Sequence, residues 1–122
     1  MSPVSEATVV QSTPLRTASS TPVLPEVLRL LRDYPKVQAD YRARIELGVV
    51  RYGSELCVHN GRCFLADAYQ EALDLLGYLV GLGMERPEAD EPQLHALARA
   101  TAHALSAVLE LRMLLDQQRI SA

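Results

Sequence analysis

Tryptophan is absent from this chain, phenylalanine occurs once, and cysteine occurs twice in 122 residues. A core without large aromatics is built from Leu, Val and Ala, which favours helices packed on helices over a pleated sheet. Two cysteines, Cys57 and Cys63, are too few for a disulfide scaffold and suit a reducing cytoplasm. No apolar run approaches the roughly 18 residues of a membrane span, so no membrane partner is expected. The N-terminus lacks a basic region followed by an apolar one and does not read as a secretory signal. Basic excess is missing as well. The formal net charge is −3, which leaves no electrostatic footprint for nucleic acid. A glycine-rich phosphate loop is missing too, because Gly81 and Gly83 follow a helical pattern instead of a strand.

What is present fits one domain, with 48% hydrophobic residues to build a core. Residues 1–24 are rich in Ser, Thr and Pro, show no helical period, and read as a flexible N-terminal arm. Val9, Val10 and Leu15 leave open that the arm docks on a neighbouring subunit. Residues 25–122 read as an all-α domain. Pro25 opens a short helix, with Glu26 at the positive end of its dipole. A second helix runs from about Pro35 to Tyr52 and stops at Gly53. Asn60-Gly61 signals a turn. A third helix follows from Arg62 to about Met84. Asp90 is a candidate N-cap for a last helix of about six turns. Its apolar side collects Leu94, Leu97, Ala98, Thr101, Ala104, Leu105, Val108, Leu111 and Leu115. Three main helices and a short one make a small core, which pairs of this kind complete by oligomerising.

The third helix carries the sharpest pattern. Asp67, Glu71 and Asp74 lie at i, i+4 and i+7, within about 60° of one another at about 100° per residue. No Lys or Arg lies between them to relieve their repulsion. Such a stripe is either a solvated face or a cradle for a divalent cation. On the second helix, Glu46 falls within an apolar stripe of Ala39, Ala43, Ile45, Val49 and Val50. Either it pairs with Arg42 or it aims inward at a metal site. Phe64 and Tyr78 project near the carboxylate face, as a partly enclosed pocket requires. Hard cations such as Mg²⁺ and Mn²⁺ take oxygen ligands and keep waters and substrate phosphates. From position and chemistry, Arg62 and Arg51 are expected to take phosphate oxygens, and Asn60 to hydrogen-bond sugar, phosphate or base. Cys57, His59 and Cys63 match no zinc-finger spacing and lack a fourth ligand. His95 and His103 fall on the polar side of the last helix.

Arg51-Tyr52-Gly53, then His59-Asn60-Gly61-Arg62, then Asp67 through Glu71 to Asp74 resemble the MazG-related all-α nucleoside triphosphate pyrophosphatases. The likeness is greatest to the small phage members of the MazZ type, which act on guanine deoxynucleotides. It covers about residues 36–80. The resemblance implies a MazG-like helical fold and assembly into homodimers or homotetramers. It implies Mg²⁺ or Mn²⁺, two or three ions per site, held by an acidic pair on each of two helices. Glu71 and Asp74 match the second pair. Glu46 fits one position of the first, while Val49 stands where its partner belongs, and Asp67 is placed to supply the missing carboxylate. In this reading Glu46, Glu71 and Asp74 are catalytic, and Glu46, Asp67, Glu71 and Asp74 hold metal. The implied activity is hydrolysis of a (d)NTP, dGTP or GTP by family likeness, to the monophosphate and pyrophosphate in the cytoplasm. The dGMP formed could feed synthesis of a modified purine such as 2-aminoadenine. The rival reading is a non-catalytic helical oligomerisation protein, or a nucleotide-binding regulator on the same fold.

Overall fold

The computed structural model describes residues 5–86 and 88–121, with side chains as far as Gln118. Among the described residues four helices carry the fold: α1 (Leu24–Leu30), α2 (Pro35–Tyr52), α3 (Phe64–Glu85) and α4 (Glu91–Ser121). Among the described residues no strand forms, only an isolated antiparallel bridge between Pro22 and Cys57. The all-α class expected from composition is the class observed. The chain folds as two units, Met1–Val10 with Cys63–Ala122, and Gln11–Arg62.

In the first unit, α3 and α4 pack as a helical hairpin. The δ-carbon of Leu97 lies 3.4 Å from where a side chain on Gly83 would begin. At the other end the Arg112 guanidinium sits 5.3 Å from the centre of the Tyr69 ring. These two levels make the helices antiparallel. Buried Ala72 on α3 and buried Ala104, Val108 and Leu115 on α4 lie along the seam, with small residues where the backbones approach. The apolar side of α4 therefore divides. Leu97, Thr101, Ala104, Val108, Leu111 and Leu115 turn inward, whereas Leu94, Ala98 and Leu105 remain exposed. Asp90 begins α4 as the sequence suggests. Its carboxylate accepts the Gln93 N–H at 2.9 Å, and the Gln93 side-chain oxygen accepts the Asp90 N–H at 3.4 Å, a reciprocal capping box.

Residues expected to form a flexible arm make defined contacts with their own chain. In the first unit, the Gln70 side-chain amide donates to the carbonyls of Glu6 at 2.9 Å and Val9 at 2.8 Å. Glu6 also pairs with Arg112 at 3.5 Å. In the second unit, residues 15–23 run beside the loop before α3. The Leu15 N–H donates to Asn60, Val58 donates to Thr21, and Val23 donates to Leu56.

Also in the second unit, the Gln38 side chain donates to the Leu28 carbonyl at 2.7 Å and ties α2 to α1. Gly53 ends α2 in the left-handed region, φ 81°, with its N–H on the Val49 carbonyl at 2.8 Å. The sheltered side of α2 is Gln38, Tyr41, Ile45 and Gly48, at helical spacing. This corrects the stripe expected from the sequence. Val50 is 84% exposed, Val49 40%, and Glu46 is exposed as well. Burial raises the Tyr41 phenol above its ordinary value.

Two substitutions separate the roles of α4's residues. Asp90→Ala removes the cap and is expected to destabilise the hairpin by about 1 kcal/mol, read as a lowered unfolding midpoint at unchanged slope. Val108→Asp buries an unpaired charge in the seam and is expected to cost about 3 kcal/mol or more. Loss of helical circular dichroism is the readout, since Val108 belongs to the seam and not to an outer surface.

Candidate functional site

α3 starts at Phe64, two residues after Arg62 and just beyond a turn in the preceding loop. His59 lies at φ 53° and Gly61 at φ 83°. Glycine occupies a left-handed conformation freely, whereas histidine there is strained and needs support. The hydroxyls of Thr17 and Ser20 supply it, each donating to the His59 carbonyl at 3.2 Å. The turn signalled by Asn60-Gly61 is real. The Asn60 side-chain oxygen accepts the Arg62 N–H at 3.0 Å.

This geometry assigns structural work to residues that the sequence offers as substrate contacts. Asn60 is 3% exposed, and its side-chain nitrogen has no hydrogen-bond partner among the described residues. Arg62 donates from its guanidinium to the carbonyls of Ser12 at 2.7 Å and Gln11 at 3.5 Å, holding the arm. Arg51 is exposed at the end of α2, 5.8 Å from the centre of the Tyr52 ring. Glu46 belongs to the second unit.

On α3 the three carboxylates lie on successive turns. Asp67 is half-buried, while Glu71 and Asp74 are exposed. Among the described residues, Glu71 and Asp74 make no ion pair or hydrogen bond through their side chains. Their setting is more apolar than an acidic stripe suggests. Phe64, Ala68, Glu71, Leu75, Tyr78 and Leu82 recur at alternating intervals of four and three residues, which is one continuous helix face. Phe64 is 37% exposed, Leu75 47% and Tyr78 74%, so Glu71 interrupts an uncovered apolar seam, with Asp67 and Asp74 along its edge. Chemically, a pair of unengaged carboxylates one turn apart can bind a hard cation or accept protons. Among the described residues, however, no three His, Cys, Asp or Glu side chains gather closely enough to hold a metal ion. The carboxylates of α3 alone therefore do not form a closed metal site.

Sequence reasoning missed the cluster around Arg112. Its guanidinium stacks over Tyr69, donates to Asp116 at 2.8 Å, and pairs with Glu6. Only the Asp116 partner, one turn away, could be read from spacing. Glu6 lies 106 positions distant. An open depression of about 450 Å³ at the α3–α4 turn is lined by Glu85, Arg86, Glu88, Ala89 and Gln93. It contains none of the candidate site residues. No protein family matches the chain, and no curated protein or solved structure matches it.

The arm contacts generate a measurable expectation. Arg62→Ala removes two bonds to residues 11–12 and should speed proteolytic cleavage within residues 10–20 several-fold, with helicity retained. Cleavage as slow as in the parent chain would mean that these bonds do not hold the arm.

Proposed function

We propose that this protein is a metal-dependent nucleoside triphosphate pyrophosphohydrolase of the MazG-like kind, with dGTP or GTP as substrate. The observation that supports the reading is the pair Glu71 and Asp74. Both are unengaged and exposed on a face where apolar neighbours would form the walls of a pocket. They coincide with the second acidic pair that the sequence resemblance implies. Glu71 and Asp74, with Asp67 beside them, hold Mg²⁺ or Mn²⁺ in this reading. The phosphate oxygens of the substrate and water supply the ligands that α3 lacks. When bound, the ions neutralise the triphosphate and lower the pKa of an attacking water.

The products are a nucleoside monophosphate and pyrophosphate. In a phage-infected cytoplasm such turnover would control the guanine deoxynucleotide pool and feed synthesis of 2-aminoadenine. The protein acts as a homodimer or homotetramer in this proposal. Among the described residues no helix is long and apolar enough to cross a membrane. A non-catalytic helical oligomerisation or nucleotide-binding protein is the second reading. It is favoured by the lack of a three-ligand cluster among the described residues.

Incubation with each dNTP and NTP in Mg²⁺ or Mn²⁺, with pyrophosphate and monophosphate quantified, separates the two readings. Pyrophosphate release from dGTP or GTP is expected; no turnover of any nucleotide would sink the enzymatic proposal. Glu71→Gln keeps the side chain's size and removes its charge. Its turnover should fall by about 100-fold or more, since even outer-sphere changes at metal sites cost 10- to 100-fold. Helicity should be unchanged, because Glu71 lies outside the α3–α4 seam.

A further inference from the structure

The chain contains a single asparagine, Asn60, and a glycine follows it. That pair carries a chemistry of its own. The main-chain nitrogen after an asparagine can attack the side-chain amide carbon and close a five-membered ring. Because the chain itself tethers the two groups, the cost of bringing them together is already met. After other residues a side chain crowds the attacking nitrogen, whereas glycine has none. Gly61 is exposed at φ 83°, with open space where a side chain would begin.

The three reacting groups are suited to that attack. Among the described residues the Gly61 N–H makes no hydrogen bond, so the nucleophile is not tied up. The Asn60 side-chain oxygen accepts the Arg62 N–H at 3.0 Å. A donor at that distance stabilises the negative charge that the oxygen gains when its carbon is attacked. The leaving group, Asn60 Nδ2, is buried with no partner among the described residues. An orphaned buried donor is a cost that the loop carries, and its departure as ammonia removes that cost.

The N-terminal arm opposes the step. The Asn60 main-chain carbonyl accepts the Leu15 N–H at 2.8 Å. That carbonyl and the Gly61 nitrogen belong to one planar peptide unit. Any turn of the nitrogen relative to the side chain therefore carries the carbonyl off Leu15. Thr17 and Ser20, both donating to the His59 carbonyl at 3.2 Å, brace the preceding peptide unit.

We propose that Asn60 is a self-modifying site restrained by residues 15–20 of the arm. The Gly61 nitrogen gives up its proton and bonds to the Asn60 side-chain carbon. The bond from that carbon to Nδ2 breaks, and Nδ2 leaves as ammonia with the proton balanced through solvent. Water then opens the cyclic imide at either carbonyl, giving aspartate or isoaspartate. The product places a carboxylate at a position 3% exposed. An unpaired buried charge costs more than the amide it replaces, and isoaspartate also lengthens the main chain by one carbon. Conversion thus loosens the loop and frees the arm that restrained it. The support for this site is independent of the enzymatic reading.

Peptide mapping of the full chain tests it, after incubation in mildly alkaline buffer without nucleotide or metal. Trypsin cleavage after Arg51 and Arg62 isolates Tyr52–Arg62, which holds the chain's single asparagine. Mass spectrometry separates its amide, imide and acid forms, enzymatic methylation identifies isoaspartate, and a digest before incubation sets the background. A synthetic peptide of the same residues supplies the unrestrained rate. The parent chain should convert more slowly than the peptide. Leu15→Pro removes the restraining N–H and should speed conversion about five-fold or more, with helicity retained. Thr17→Val combined with Ser20→Ala releases the same loop by another route, should Leu15→Pro unfold the chain. Asn60→Asp should speed proteolytic cleavage within residues 10–20 several-fold. Retention of the amide in the parent and in both arm variants overturns the proposal. So do equal rates in the parent and the folded arm variants, and so does an Asn60→Asp chain cleaved as slowly as the parent. None of these outcomes bears on whether the protein hydrolyses nucleotides.

Discussion

The close approach of α3 to α4 is the constraint on which the hairpin unit depends. Both helices draw on it, because helix nucleation is costly and most helical stability in proteins comes from tertiary packing. The approach requires small residues at the contact. A side chain begun on Gly83 would come into van der Waals contact with Leu97 at 3.4 Å, and Ala72 and Ala104 are among the few buried side chains. Once that seam is chosen, the remaining faces of both helices are fixed by helical geometry. On α3 it leaves Glu71 among Phe64, Leu75 and Tyr78. On α4 it leaves Leu105 and Leu109 uncovered.

These two leftover faces have different characters. The one on α4 is uniformly apolar and ends where Arg112 and Asp116 pair with each other. The one on α3 is interrupted by a carboxylate and edged by two more. An apolar face with nothing polar to satisfy is best closed by another protein surface. A face with unengaged carboxylates is better suited to a ligand that brings its own charge. The same hairpin thus carries an uncovered apolar face and a candidate site, and the choice of seam separates them.

The N-terminal stretch shows how low-complexity composition can conceal defined structure. Its Ser and Thr residues lack a helical period, yet Thr17 and Ser20 place their hydroxyls on the strained His59 carbonyl. Gln70 and Arg62 donate to main-chain carbonyls of the arm, which any sequence possesses. A segment held by its backbone leaves little trace in its own residue types. For the same reason the Asn60 and Arg62 side chains, attractive as nucleotide contacts, are engaged in or buried by the loop that they help to build.

By itself, the sequence determined the helices. Pro35 and Gly53 bound α2, the Asp90 and Gln93 pair begins α4, and Asn60-Gly61 turns the chain. These are local effects, set by dihedral preference and by side chains reaching backbone groups a few positions away. It also determined that Asp67, Glu71 and Asp74 share one face, since helical spacing alone requires that. Tertiary structure decided which apolar residues face inward. The single apolar side read on α4 divided into inward and exposed residues, and the sheltered face of α2 moved to Gln38, Tyr41, Ile45 and Gly48. Helical periodicity tells which residues lie together but not which neighbour covers them. Glu6 on Arg112 and the arm on Gln70 were likewise decided only by folding, because partners so far apart in sequence leave no spacing to read.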